Sequence, residues 1–167
     1  MLPSQTPKTE ATWISVHRDP SAEPEEESLD RSFISSTWDR ICAEGSPTLS
    51  EVDKLAEDFS VLSGKWLVFI SSDEVDELWK QIVKSTLAGT LGTRAKVSPR
   101  NWNKLGSKHL ICIYNDDFRS MEDVSRVRDE LRRLGVKDRI SYKPDIYTYC
   151  AIYKGNKWGI PASLYNF

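Results

Sequence analysis

The chain has 167 residues, a formal net charge of −2 and 39% hydrophobic residues, which suits one ordinary domain with enough apolar material for a core. Its longest apolar run falls far short of the roughly 20 residues a membrane-spanning helix needs, and no charged-then-apolar leader opens it, so neither a membrane protein nor one secreted by the usual route is expected. The small net charge hides an asymmetry, because residues 1–90 carry 8 Lys and Arg against 17 Asp and Glu, while residues 91–167 carry 15 against 8. Either the acidic tail accompanies a basic working surface, or it sits on a mildly basic, well-solvated domain.

Residues 1–30 are poor in apolar side chains and hold four prolines and the acidic stretch Glu23 to Glu27. This composition predicts a largely disordered acidic tail. Within it, Thr12 to Val16 alternates apolar and polar residues, which suits a segment that docks on the domain or pairs with a sheet edge. Residues 31–167 are predicted to form a single α+β domain.

Phe33, Ile34, Trp38 and Ile41 recur at helical spacing and predict a short helix over 30–42, broken by Gly45-Ser46-Pro47. Thr48 or Ser50 caps a second helix whose inner face is Leu49, Val52, Leu55, Ala56, Phe59 and Leu62. Lys65 to Ile70 reads as a strand with little alternation, hence covered on both faces. Ser71 and Glu74 have the spacing of a capping box ahead of a third helix with Val75, Leu78, Trp79, Ile82 and Val83 on one stripe.

Leu91 to Val97 is a weaker strand candidate and leads into a polar, basic loop over 98–108 that holds Trp102. His109 to Tyr114 is a second near-continuous strand. Ser120 caps a fourth helix with Val124, Val127, Leu131 and Leu134 inward and Arg126, Arg128, Arg132 and Arg133 outward. Lys137 to Tyr142 reads as a short strand. Beyond it Ile146, Thr148, Cys150 and Ile152 alternate with Tyr147, Tyr149, Ala151 and Tyr153, which predicts a sheet strand. Gly155-Asn156 then supplies a hairpin loop, and Lys157 and Trp158 begin the return. This order of elements predicts an α+β fold, a mostly antiparallel sheet with helices packed on one face.

Chemical motifs are absent. The sequence has no GxSxG, GxxxxGK[ST] or GxGxxG pattern. Two His and three widely spaced Cys provide no zinc spacing, and the Cys read as buried reduced thiols of a cytoplasmic or nuclear protein. Asp116-Asp117 precedes a helix cap and reads as a turn, and His109 reads as structural. The expectation is therefore a non-enzymatic protein without cofactor or metal. Binding chemistry is better represented. Arg94, Lys96, Arg100, Lys104 and Lys108 interleave with Trp102, and cations beside a stacking aromatic suit RNA or a nucleotide. The alternative is a solvated loop with Trp102 folded inward. The second basic aromatic cluster is the hairpin, which adds Lys143, Lys154, Lys157, Tyr147, Tyr149, Tyr153 and Trp158, with strand aromatics serving as core as the alternative.

Five stretches carry a family resemblance: GKWLVF (64–69), VDELWKQI (75–82), GTLGTRAKVS (89–98), VRDELRRLG (127–135) and, most distinctive, YKPDIYTYCAIYKGNKWGI (142–160). Together they resemble the uncharacterised eukaryotic family of the basophilic leukaemia-expressed protein. That resemblance implies a fold like translation initiation factor 4E, a curved antiparallel sheet with helices on its convex back. In that factor two Trp sandwich a methylated guanine, an acidic residue meets the base edge and basic residues hold the phosphates. Trp66, Trp102 and Trp158 are the candidates for the stacking role here, and no acidic residue closely follows Trp102. VDELWKQI looks like the factor's dorsal helix, with Trp79 matching its partner-contacting Trp. The leading expectation is an RNA- or nucleotide-binding domain, cap-like in outline, with Trp102 and Trp158 stacking and Arg94, Lys96, Arg100 and Lys104 on phosphate. The rival is a protein-interaction adaptor that uses the helix around Trp79.

Overall fold

The computed structural model describes residues 1–21, 31–101 and 108–167. Among these residues six strands form one antiparallel sheet: β1 (Ile14–His17), β2 (Gly64–Ser71), β3 (Arg94–Val97), β4 (Lys108–Asn115), β5 (Ser141–Pro144) and β6 (Tyr165–Asn166), in the spatial order β1-β3-β4-β2-β5-β6. Five helices accompany them: α1 (Arg31–Glu44), α2 (Leu49–Asp58), α3 (Val75–Leu87), α4 (Met121–Arg133) and α5 (Asp145–Tyr149). The α+β architecture expected from the order of elements holds. None of the described helices is long and apolar enough to cross a membrane.

Side chains alternate across the sheet. Ile14, Ala95, Val97, Ile111, Ile113, Trp66 and Val68 are buried on the face that α3 and α4 cover, where the Trp66 indole donates to the Val124 carbonyl of α4 at 3.1 Å. The opposite face carries Lys65, Leu67 and Phe69 of β2, and Phe69 is 57% exposed. The expectation that both faces of β2 are covered is thus corrected: only the Trp66–Val68 face is deep in the core. Helices α1, α2 and α5 gather at the end of the sheet where β2 begins.

Local signals explain the helix starts. Thr48 forms a full capping box with Glu51, and the Ser120 hydroxyl accepts from the Asp123 amide at 3.5 Å. The Ser71–Glu74 box does not form. Ser71 instead donates to the Glu74 carboxylate at 2.6 Å, and α3 starts at Val75 with no side-chain cap. Arg128 departs from its outward assignment: it is 1% exposed and donates to the carbonyls of Phe167 (3.2 Å), Val136 (2.8 Å) and Asp138 (2.7 Å).

Two larger corrections concern the ends of the chain. The predicted strand over 146–153 begins as the short helix α5. Pro144 at its N-cap and Asp145 in its first turn are helix-start chemistry, and Ile146 and Cys150, both 0% exposed, share one helical face. The expected hairpin is therefore absent; the strand that returns to β5 is β6, through Ser141↔Asn166 and Tyr142↔Tyr165. At the other end, residues 1–21 are ordered against the domain rather than a loose tail. Ile14 to His17 pair with Val97 to Arg94, the Arg100 amide donates to the Thr6 carbonyl at 2.8 Å, and the Ser4 amide donates to Asp76 of α3 at 2.9 Å. The expected docking of the Trp13 segment is realised as the edge strand β1, while the acidic residues Glu23 to Glu27 lie outside the described residues.

Candidate anion-binding site

Strand register sets up one row of charge on the side of the sheet away from α3 and α4. Arg94 of β3 sits opposite Tyr114 of β4, Tyr114 opposite Lys65 of β2, and Lys65 opposite Lys143 of β5. At ~4.8 Å between strands, this row spans roughly 14 Å. Lys96, one pleat further along β3, faces the same side. Like charges directly opposite one another repel, so this row needs compensation.

Asp145 supplies it. The residue is 6% exposed and is held at the start of α5 by its amide, which donates to the Ser63 carbonyl at 2.8 Å. Its carboxylate pairs with Lys65, accepts from the Ser63 hydroxyl at 2.6 Å and lies 3.7 Å from Arg94. Tyr114 supplies the second form of compensation, with its ring beneath Arg94 at 4.3 Å and within reach of Lys65 at 5.4 Å and Lys96 at 5.7 Å. Lys96 also stands 4.5 Å from the Trp13 ring.

A cleft of about 350 Å³ opens between this row and the α1–α5 wall. Arg31, Lys65, Arg94 and Lys96 line it, with Asp145 as the one acid among the described lining residues and Tyr114 and Tyr149 as its rings. The Arg31 guanidinium lies 5.4 Å from the Tyr149 ring. Among the described residues that line the cleft four are cations and one is a carboxylate, a set that suits an anion, and two guanidinium groups allow forked contact with phosphate oxygens. Next to it, Lys143 is 6% exposed under the Tyr153 ring, 3.8 Å from its centre. Burial, and then repulsion from Lys65, lower its pKa to about 8.

Of the residues expected to bind, Arg94 and Lys96 line this cleft. Arg100 is exposed and stands outside it, bridged to Pro7. Trp158 is half-buried and packs edge-on against Trp38 at 5.0 Å, away from the cleft lining. Trp66 is fully buried. Trp102 and Lys104 lie outside the described residues. Trp79 is 4% exposed; its place on the apolar stripe of α3 turns the indole into the core, so an exposed indole on that helix is not found. Tyr149, a ring of the expected basic aromatic hairpin, lines the cleft from α5, whereas Lys65, Tyr114, Asp145 and Arg31 are not among the expected binding residues. Lys65 opens an apolar strand, and its β-strand parity with Leu67 and Phe69 was the available clue.

Other candidate chemistry resolves into scaffold. His109 is 2% exposed, with Nδ1 2.8 Å from the Ser98 carbonyl and Nε2 3.1 Å from the Ser72 hydroxyl, as its structural reading expected. All three Cys are free, and Cys112 and Cys150 are buried; burial pushes the Cys112 thiol up to about 11 and the Cys150 thiol up to about 12. Among the described residues no three His, Cys, Asp or Glu converge to hold a metal ion.

The chain is similar to solved structures of eIF4E. One is a schistosome eIF4E complexed with m7GpppA and 4E-BP, at 17% identity and TM-score 0.48, over 63% of this chain and 58% of that one. Another is an Ascaris suum eIF4E-3 with m2,2,7G cap, at 16% identity and TM-score 0.47, over 64% and 58%. A C. elegans eIF4E-3 with the 4E-binding protein Mextli gives 15% identity and TM-score 0.46, over 53% and 55%. The match thus spans less than two thirds of the length of each of these chains. At the level of sequence, residues 36–151 match the family described as basophilic leukemia-expressed protein Bles03, a span that includes α2 to α5, β2 to β5 and the cleft residues Lys65, Arg94, Lys96, Tyr114 and Asp145. The chain belongs to the Bles03 family.

Proposed function

We propose that the chain binds the phosphate groups of a nucleotide or of RNA in the cleft between β3, β4, β2 and the α1–α5 wall. The observation that carries this reading is the convergence of Arg31, Lys65, Arg94 and Lys96 on one cleft of about 350 Å³, in which Asp145 is the one carboxylate among the described lining residues. That volume lies at the small end of ligand pockets, ~300–1,000 Å³. Tyr149, half-buried on the wall, offers a ring for a base, and Trp102, which lies outside the described residues, is a second stacking candidate from the sequence. The reading is of a binding protein, since the cleft presents cations and rings rather than a nucleophile with its base.

The test is a titration of intrinsic Trp fluorescence with cap analogue, GTP and a short single-stranded RNA at two salt concentrations. Binding that weakens as salt rises is expected. Arg94→Ala and Lys96→Ala should each weaken it about tenfold, since each removes one charge-assisted contact. Trp102→Ala asks whether that indole stacks: a loss of quenching with affinity retained would leave Tyr149 as the ring. No binding of any of the three ligands by the wild-type chain would overturn the proposal.

A further inference from the structure

Among the described residues, none pairs with the second edge of the far half of β2. Val68 to Ser71 pair with β4 through Ile111 to Lys108, but β5 reaches β2 only from Gly64 to Leu67. The segment that would continue β5 alongside, 136–140, is held elsewhere. Arg128 takes the carbonyls of Val136 and Asp138, and the Val136 and Lys137 amides donate to Leu131 and Gly135 at 2.9 and 3.0 Å. Between that segment and the β2 edge runs a groove of about 630 Å³, floored by Leu78 of α3. Roughly 13 Å of strand edge faces it, at about 3.3 Å per residue.

Two further features select an occupant. Phe69 stands 57% exposed over the groove, with half-buried Leu134 and Val136 on its far side. Four carboxylates, Asp73, Glu74, Glu77 and Asp138, line it against two ammonium groups, Lys108 and Lys137. Phosphate is therefore repelled, which argues against RNA here. The chain's own acidic stretch Glu23 to Glu27 and a second copy presenting the same carboxylates are disfavoured for the same reason.

We propose that this groove docks an extended segment of a partner protein that adds as a strand to Val68–Ser71. Its alternate side chains are apolar on the Phe69 face, and the others are Lys or Arg on the α3–α4 face, with their stems along Leu134 and Val136 and their heads at the carboxylates. Main-chain bonds to the edge supply affinity, and the alternation supplies specificity. Arg128 is the residue that keeps the edge available.

The test uses the full chain and fluorescence anisotropy with a labelled nine-residue peptide alternating valine and lysine. Two controls accompany it: the same peptide with glutamate for lysine, and the lysine peptide N-methylated at alternate backbone positions along one edge, prepared for each edge in turn. Binding of the unmodified lysine peptide is expected, with the glutamate peptide and one of the two N-methylated peptides about tenfold weaker or more. The double variant Asp73→Lys/Glu77→Lys, at two exposed positions, should weaken the lysine peptide about tenfold while leaving its circular dichroism and its binding of tripolyphosphate unchanged. Phe69→Ala should weaken it as well. Equal binding of all the peptides, or insensitivity to methylation on both edges, would reduce the effect to charge attraction and overturn the proposal. So would absence of binding, a dimer sensitive to the same double variant, or displacement of the peptide by RNA. Failure of this site leaves the anion cleft untouched, because the two are read with different ligands and different variants.

Discussion

Lys65 of β2 and Asp145 at the start of α5 lie eighty residues apart in the chain and form an ion pair whose side chains are 13% and 9% exposed. The pair closes one end of the anion cleft. Removing one partner of a buried pair leaves the other charge uncompensated, at a cost of roughly 3–5 kcal/mol. Asp145→Asn keeps a side chain that can still meet Ser63 but removes the charge that balances Lys65 and Arg94. The variant should lose about 3 kcal/mol of stability by urea unfolding in phosphate-free buffer. Tripolyphosphate should then restore most of that loss, stabilising the variant more than the wild type, because the ligand replaces the missing negative charge. A loss that tripolyphosphate does not relieve would mean that Asp145 serves α5 alone.

Lys143 gives the cleft a pH signature. Its folded pKa, lowered to about 8 by burial and by Lys65, lies below the ordinary lysine value of about 10.4 in the unfolded chain. Between these limits the unfolded chain holds a proton that the folded chain has released, so this residue makes stability rise with pH from about 8 to about 10.4. Below pH 8 it is a burden, because a charged ammonium must be kept under Tyr153. Lys143→Met should therefore raise Tm at pH 7 by roughly 2–4 °C, the shift expected for about 1 kcal/mol in a chain of this size. The gap between variant and wild type should close as pH rises to 10. Comparing the two chains isolates the lysine from Cys112 and Cys150, whose raised pKa values act in the opposite sense: they favour the folded chain until pH climbs through about 9, where unfolded thiols ionise. A gap that stays constant with pH would show that Lys143 remains charged throughout.

The parts of this fold legible in the sequence are those decided by neighbours a few residues away. Thr48, Ser120 and the stripes of α2, α3 and α4 obey cap and period rules within one helix, and apart from Leu49, which is 42% exposed at the start of α2, they appear where those rules place them. Ile146, Thr148, Cys150 and Ile152 satisfy two periods at once, since every second alternation step is also an i, i+4 step. Pro144-Asp145 decided between them in favour of α5. The cleft was half legible for a related reason. Arg94 and Lys96 stand in a polar context that advertises them, whereas Lys65 and Tyr114 are embedded in apolar strands. Only the β2–β4–β3 register, a long-range property, brings those two beside Arg94. Arg128 looked like one more cation on a solvated helix face, and its three carbonyl partners lie in a loop and at the chain terminus that no helical period can point to.

Arg128 should prove a stability residue out of proportion to its position among exposed arginines. Its fork satisfies the carbonyls of Val136, Asp138 and Phe167, and each hydrogen bond to a charged group is worth about 1.5–3 kcal/mol. Arg128→Ala should cost about 3 kcal/mol or more by urea denaturation, by orphaning carbonyls and by leaving a void beside Trp66, whose ring lies 5.9 Å away. Arg128→Lys keeps the charge but cannot reach three carbonyls with one ammonium, so most of the loss should persist. Arg132→Ala and Arg133→Ala, on the exposed side of α4 where they pair with Asp129 and Glu130, should each change stability by less than about 1 kcal/mol.

Deleting residues 1–20 tests whether the N-terminal segment is part of the domain. The deletion removes β1 and its pairing with Arg94–Val97, the packing of Ile14, which is 8% exposed, the Ser4–Asp76 hydrogen bond and the ring beneath Lys96. Burial of one large aliphatic side chain is worth about 1.5–3 kcal/mol, and the lost ladder adds to it, so Tm should fall by at least about 5 °C. The new sheet edge would be β3, which carries Arg94 and Lys96; charged edges resist pairing with other chains, so the truncated chain should stay monomeric in sedimentation while melting earlier. Lys96, released from Trp13, would keep its place above Tyr114 at 5.7 Å, and phosphate binding should fall by a smaller factor than in Lys96→Ala. An unchanged Tm would place β1 outside the cooperative unit and make the segment an appendage that merely rests on the β3 edge.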